Sequence, residues 1–312
     1  MIQLSVVVCT YNRADMLSSA LESLVQQTLD KRLYEVIIVD NASSDATPEV
    51  LGGLRARYGE WNIVLAREDR LGLGYARNAG VREARGAYVA FMDDDARADK
   101  DWLKRALGCF EHVRPSPFVI GGPIFPFYDS PRPAWFKDEY EIRTWGQEPR
   151  FLSQRESLSG SNIILKKDII EKYGGFDVQV GMKGSRLSVG EETNLFKTIG
   201  RHNTHARVFY YSPHLVIHHA VPAYKMTVSY QLKRAFVGGQ ACCLDGPVPF
   251  LGRSKYLLKI IFSLAKLSML LLIRLRSYST RQNWAVESFA PILVEMGRFM
   301  ACLGFHIPVR QR

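Results

Sequence analysis

Cysteine is scarce in this sequence and carries no pattern. The five cysteines (Cys9, Cys109, Cys242, Cys243, Cys302) show no paired metal spacing, and two of them are adjacent. That excludes a disulfide framework or a cysteine zinc site and reads as a reduced, cytoplasmic chain. The GxGxxG spacing of a dinucleotide site is missing after the first apolar run. The N-terminus lacks a basic segment followed by a long apolar stretch. Its run Leu4 to Cys9 is too short for a signal peptide and suits a first strand. There is no internal repeat and no low-complexity tract. Acids are nearly missing from the last fifth: Leu251 to Arg312 holds ten Lys/Arg against Glu287 and Glu295 alone, so most of the net +10 charge sits there.

What is present supports a large globular domain with an appendage. Of 312 residues, 47% are hydrophobic, enough to bury a sizeable core. Continuous apolar runs at Leu4 to Cys9, Glu35 to Asp40, Asn62 to Leu65 and Ala87 to Met92 predict strands buried on both faces. Between them, helical spacing is expected at Met16 to Leu24, Thr47 to Tyr58 and Tyr75 to Ala84. This alternation predicts a doubly wound, mostly parallel α/β sheet with helices on both faces. Ligands bind such sheets outside the carboxyl ends of the strands, which puts the polar loops after Cys9, Val39 and Met92 at one edge. Pro115 to Pro149 is dense in proline and aromatics and is expected to be irregular but not solvated. Further strands are expected at Ser161 to Leu165 and Leu215 to Ile217, and a helix at Glu191 to Ile199. The domain is expected over 1–240, with a nucleotide-binding half to about 115 and an acceptor half from 116, followed by a helical, basic appendage over 241–312.

Lys255 to Arg276 is strongly apolar and free of acids, with Lys255, Lys259 and Lys266 on one helical arc. Lysines inside the run argue against a spanning helix. Two readings stay open: a helix lying in the membrane interface with its lysines at the lipid phosphates, or a buried helix packed on protein. Nucleic acid binding is not expected, since interleaved aromatics and base-reading side chains are missing.

The chemistry sits in the loops. Asp93-Asp94-Asp95 follows a buried strand, and three adjacent carboxylates repel unless a cation or donors neutralise them. A hard divalent ion, Mn2+ or Mg2+, does this and bridges a diphosphate. An isolated acidic triplet is more often a solvated turn; its place after a central strand favours a ligand. Asp40 ends the second strand likewise and can accept from a nucleobase or ribose. Its alternative role as a helix N-cap suits Ser44 or Asp45 better. Arg77 and Asn78 follow Gly72-Leu73-Gly74, and an arginine there suits a phosphate or base.

These motifs, Ser5-Val6-Val7-Val8-Cys9-Thr10-Tyr11-Asn12-Arg13, Val36 to Asp45, Gly74-Tyr75-Ala76-Arg77-Asn78-Ala79-Gly80 and Phe91 to Asp95, resemble in order and spacing the family 2 glycosyltransferases with the GT-A fold. The resemblance runs over roughly residues 1 to 240. It implies inverting transfer from a nucleotide sugar, usually a uridine one. Thr10, Tyr11, Arg13, Asp40 and Arg77 would then hold the nucleotide, with Asn12, Asn41, Ser43, Asn78 and Asp94 on the same donor side. Asp93 and Asp95 would meet the ribose and the metal–diphosphate. Ser159 to Ile164 and Gly174 to Asp177 resemble the sugar and acceptor side, to which Gly122, Ser161, Asn162 and Trp135 are assigned. Gly190-Glu191-Glu192-Thr193 resembles the motif bearing the catalytic base, where the family usually has Glu-Asp. A carboxylate must take the acceptor's proton there, so Glu192 is expected as base, with Glu191 the alternative. His218-His219 resembles a stretch in which some members carry a metal-binding histidine, and His219 fits that place better.

The expected acceptor is a hydroxyl of a lipid-linked or growing glycan at the inner face of the membrane, with peripheral contact through 251–312. Two other readings compete. A sugar-nucleotide pyrophosphorylase would open with a glycine-rich loop, which Thr10-Tyr11-Asn12-Arg13 is not. An inactive nucleotide-sugar-binding membrane module would not need acids at both sites. Donor sugar, linkage and oligomeric state are not readable from the sequence.

Overall fold

The computed structural model describes residues 1–153, 156–179, 182, 186–187, 191–203, 207–241, 258, 261–262, 279–303, 305 and 307–310. These divide into two compact units. The first comprises 1–127, 141–179 and 191–220; the second comprises 128–140, 180–190 and 221–312. The break expected at 240 falls inside the second unit, which also takes in a stretch of the proline- and aromatic-rich segment.

The first unit is built on strands β1 (Leu4–Thr10), β2 (Tyr34–Asp40), β3 (Ile63–Arg67), β4 (Tyr88–Asp93), β6 (Val119–Gly121), β8 (Arg150–Phe151), β9 (Ile163–Lys166) and β11 (Phe209–Tyr211). They form one sheet in the order β3-β2-β1-β4-β9-β6-β11-β8. β3, β2, β1 and β4 run parallel; β9 is antiparallel to both β4 and β6; β6 and β11 are parallel to each other. Alternate side chains of each central strand enter opposite layers. Val6, Val8, Val36, Ile38, Ala90 and Met92 join one core with α1 (Leu17–Val25), α2 (Thr47–Arg57) and α4 (Trp102–His112). Val7, Ile37, Val39, Val89 and Phe91 join the other with α3 (Leu73–Glu83), α5 (Lys167–Lys172) and α6 (Glu191–His202). Continuous β-branched runs are required because neither face meets water. The doubly wound α/β architecture is therefore as expected, and it is GT-A-like.

Two expectations change. Pro115 to Pro149 is not wholly irregular, since β6 and β7 (Ile124–Phe127) lie in it. The strand expected at Leu215 to Ile217 instead runs from Ile217 to Ala220 as β12. Leu215 is spent in a turn, its N–H donating to Ser212 O at 3.2 Å. β12 sits between β5 (Ala96–Ala98) and β7 in a small three-stranded sheet. That sheet pairs His219 with Ala96, and Ala220 N donates to Asp95 O at 2.8 Å.

In the second unit, α7 (Val228–Ala241) packs on α8 (Arg281–Cys302). The backbones touch: a Cβ at Gly239 would stand 2.1 Å from Val294 O, and one at Gly297 2.1 Å from Phe236 O. Trp135, Phe136, Val221, Met226 and Val286 form its core. Asn283 Nδ2 donates to Trp135 O and Tyr140 Oη. No helix among the described residues is long and apolar enough to cross a membrane. The helix expected over Lys255 to Arg276 lies outside the described residues, save Leu258, Ile261 and Phe262, which are exposed.

Asn162 joins the two sheets of the first unit. It is fully buried; its Oδ1 accepts from Trp102 Nε1 at 3.0 Å, and its Nδ2 donates to Pro123 O at 2.9 Å and Leu215 O at 2.7 Å. Substitution Asn162→Leu strands the buried Trp102 indole N–H and Leu215 O, while Pro123 O keeps its bond from Ile217 N, so we expect a loss of about 3 kcal/mol. Urea unfolding of the variant measures it, and a loss under about 1 kcal/mol would contradict this role.

Candidate functional site

The strand register sets the site. Thr10 pairs with Asp40, Asp40 with Arg67, and Cys9 with Asp93, so the ends of β1, β2, β3 and β4 stop at one level. The loops after β1 and β2 are knitted together. Asn12 N donates to Ser43 Oγ (2.9 Å), Ser44 N to Asn12 Oδ1 (2.8 Å), and Arg13 N to Thr47 Oγ1 (3.1 Å). Asn12 and Ala42 both take positive φ, 52° and 60°. Asn41 spans the next loop: its Nδ2 donates to Glu68 O and Arg70 O, and its Oδ1 accepts from Gly72 N at the start of α3.

Asp93, Asp95 and His219 each offer a ligand atom, and the three atoms lie within 4.8 Å of one another. His219 Nε2 is 3.1 Å from Asp95 Oδ1 and 3.4 Å from Asp93 Oδ2. Its Nδ1 lies 3.0 Å from Ala220 O, an atom that can only accept. Nδ1 therefore carries a proton, and Nε2 points at two carboxylates. Such a geometry is stable only with a positive charge between them: a proton on Nε2, or a metal ion in its place. Two carboxylates and an imidazole are a fitting set for a divalent cation. Arg13 closes the other side, Nη1 donating to Asp95 Oδ2 at 2.8 Å and lying 3.7 Å from Asp94 Oδ1.

Arg77 connects this cluster to the second acidic group. Its side chain is 5% exposed, with Nη2 3.9 Å from Asp93 Oδ1 and Nη1 3.6 Å from Glu192 Oε2. The guanidinium lies over Phe176, 5.3 Å from the ring centre. Gly160 makes room for the pair: a Cβ there would stand 2.6 Å from Arg77 Nη2 and 3.1 Å from Glu192 Oε1. Burial works to raise Asp93, but the hydrogen bond and charge of His219, with Arg77 behind it, hold its carboxyl below the usual range. Burial pushes Asp94 up to about 7; Arg13 opposes the shift and Asp95 adds to it.

Comparison with known proteins agrees with this geometry. The family model described as glycosyl transferase family 2 matches residues 5–174. The chain belongs to this family. The glucosyl-dolichyl phosphate glucuronosyltransferase of Haloferax volcanii is 30% identical over 191 residues, covering 59% of each chain. The chain thus spans well under two thirds of that relative. The succinoglycan biosynthesis protein ExoM of Rhizobium meliloti is 26% identical over 75% of this chain and 72% of its own. In three dimensions the chain resembles the mannosyltransferase PcManGT from Pyrobaculum calidifontis, in complex with GDP-Man and Mn2+. The TM-score is 0.64 at 19% identity, covering 95% of this chain and 86% of that one.

Against this family 2 frame, the residues expected from sequence divide by what they touch. Asp93, Asp95 and His219 come together, and Arg13, Asp94 and Arg77 surround them. His218 points elsewhere, 3.4 Å from Asp99. Asp40 is engaged by Ser43 N at Oδ1 and by Arg67 Nη1 at Oδ2. Asn41 and Asn78 brace loops; Asn78 exchanges two hydrogen bonds with the backbone of Phe176. Thr10 and Ser161 are buried close by, and Tyr11 is half-buried in the loop after β1. Asn162, assigned to the sugar side, has both amide hydrogens spent on backbone carbonyls, so it builds the frame instead. Gly122 permits close packing, since a Cβ there would stand 2.1 Å from Leu215 O. Trp135, also assigned to the acceptor side, is 9% exposed and belongs to the core of the second unit. Glu191 begins α6, and its side chain lies outside the described atoms. The sequence reading missed Thr47, Arg67, Gly160 and Phe176. Of these, Gly160 and Phe176 lay in motifs already singled out, Ser159 to Ile164 and Gly174 to Asp177, but were given no role there.

The raised Asp94 gives a pH dependence. Its contribution to stability is fully present below the ordinary carboxylate range and is lost as pH rises through about 7. Without metal, Asp94→Asn should therefore gain in melting temperature relative to the parent chain between pH 5 and pH 8. Added Mn2+ should shrink the gap. A difference independent of pH in that interval would contradict the burial of this carboxyl.

Proposed function

We propose that this chain is an inverting, divalent-metal-dependent glycosyltransferase. It moves a sugar from a nucleoside-diphosphate sugar, a uridine one by the resemblance, to a hydroxyl of a lipid-linked or growing glycan. The observation that carries the reading is the His219 Nε2 aimed between Asp93 and Asp95, a cation site at the carboxyl edge of the sheet, with Glu192 reached from it through Arg77.

Asp93, Asp95 and His219 would hold the cation, and the nitrogen in the set suits Mn2+ better than Mg2+. The cation supplies charge neutralisation to the diphosphate as it leaves. Asp40 and the loops after β1 and β2 accept the nucleoside. Glu192 takes the proton from the acceptor hydroxyl as that oxygen attacks the anomeric carbon. Among the described residues its Oε2 accepts no hydrogen bond, which leaves it for an acceptor hydroxyl. Arg77, with Nη1 3.6 Å from Oε2, orients Glu192 by charge without hydrogen-bonding that oxygen. Attack by the acceptor oxygen from the Glu192 side, opposite the departing nucleoside diphosphate, would invert the anomeric centre. A lipid-linked acceptor is supported by the name of the Haloferax relative and by the basic, apolar stretch 251–276. That stretch would meet the anionic inner face of the membrane.

The test is donor turnover over a panel of UDP- and GDP-sugars with Mn2+. Asp95→Asn should abolish metal-dependent turnover. Glu192→Gln should lower transfer by about 10²- to 10⁴-fold while leaving nucleotide binding unchanged. Undiminished turnover in Asp95→Asn, or a loss of nucleotide affinity in Glu192→Gln in place of a loss of rate, refutes the assignment.

A further inference from the structure

The loop before β8 holds a second tryptophan that the reaction so far does not use. Trp145 lies in the first unit and is 38% exposed. A single exposed aromatic is ordinary on a protein surface. This one is held in place at several points. Its indole N–H donates to Ser157 O at 2.8 Å. On one side of it, Arg143 Nη1 donates to Ser159 Oγ at 2.7 Å. On the other, Tyr211 Oη donates to Gly146 O at 3.0 Å and lies 2.8 Å from Thr144 Oγ1. Gly146 turns the chain with φ 102°. Arg150, which caps the loop, is bound by Glu156. The ring is therefore fixed before any ligand arrives, and its one polar atom is already satisfied. What it presents outward is the apolar ring itself.

The segment that anchors Trp145 leads directly to the proton acceptor. From Ser157 the chain runs through Ser159 to Gly160, whose Cα hydrogen faces Arg77 and Glu192. Three residues span about 10 Å at most, so Ser157, which holds the indole, lies within that reach of Gly160 and the space where Arg77 meets Glu192. A rigid, half-exposed tryptophan held there matches the needs of a carbohydrate. Sugars offer one face of C–H bonds to an aromatic ring and keep their hydroxyls for polar partners.

We propose that Trp145 is the platform on which a sugar ring of the acceptor glycan stacks, on the Glu192 side of the site. This rests on the transferase reading for the word acceptor; the sugar platform itself rests on the loop alone. The donor sugar is not the occupant, because the cluster that would hold the donor's diphosphate is joined to Glu192 through Arg77, and Trp145 by a separate route, through Ser157 and Gly160.

The probes are methyl glycosides of glucose, mannose, galactose and N-acetylglucosamine, tested by saturation-transfer NMR on the full chain with UDP and Mn2+ present. In the parent chain at least one glycoside should receive saturation on its ring C–H protons. Trp145→Ala should weaken that binding roughly tenfold, the value of one lost stacking contact, and Trp145→Phe should keep most of it. UDP–Mn2+ affinity by calorimetry should be the same in all three proteins. The proposal is overturned if no glycoside binds the parent chain, if Trp145→Ala leaves the signals unchanged, or if it weakens UDP–Mn2+ instead. Absence of UDP–Mn2+ binding by the parent chain would defeat the transferase reading separately. Circular dichroism of Trp145→Ala should match the parent, since the side chain is not in the core.

Discussion

Asp93, Asp94 and Asp95 cannot all ionise side by side in a half-dry site without help. Unit charges about 4 Å apart repel by roughly 4 kcal/mol at the effective dielectric of a protein edge. The structure answers with three cationic or cation-seeking groups. Arg13 bonds Asp95, Arg77 approaches Asp93, and His219 aims a nitrogen between the two. None of these removes the charge on Asp94, which burial and its neighbours push toward neutrality instead. A bound divalent cation would relieve the whole group at once. The polar apparatus of the site is therefore one electrostatic problem with several partial solutions, which a bound cation would complete.

The backbone makes the problem local. Because β1, β2, β3 and β4 are parallel and in register, their last residues stop at one level. The side chains that follow are then forced into one rim. The small β5-β12-β7 sheet does the same for His219 from a different part of the chain, through the Ala220 to Asp95 hydrogen bond. That bond fixes both the backbone of Asp95 and the position of the neighbouring imidazole. His218 alternates to the opposite face of β12, as strand geometry requires, and meets Asp99.

The central strands were legible in the sequence because burial on both faces imposes continuous β-branched runs, and the acidic triplet because it ends one of them. Asp95 and His219 could be named as partners only through resemblance, since 123 intervening residues separate them in the chain and pattern carries no distance. The failures have a common cause. Asn162 and Trp135 are residue types that serve equally in ligand sites and in buried frameworks. Composition cannot say which, and only the partners of Asn162 (two backbone carbonyls and an indole) and the burial of Trp135 decide it. Leu215 failed as a strand residue because its carbonyl was needed by Asn162. The break expected at 240 falls inside the second unit: Gly239 and Gly297 look like ordinary helix glycines until the two helix backbones are seen to touch.

Arg77 is where the structure most alters the chemistry inferred from sequence. A guanidinium just inside a helix at the ligand edge suggests direct nucleotide contact. With its side chain 5% exposed, stacked over Phe176 and set between Asp93 and Glu192, it is poorly placed to leave for a base. It is better placed to tie the two acidic groups together. Gly160 is what permits this, because any larger residue would occupy the space in which Arg77 and Glu192 meet. The same short segment carries Trp145's anchor at Ser157, so one strip of chain joins the indole to the space where Arg77 and Glu192 meet.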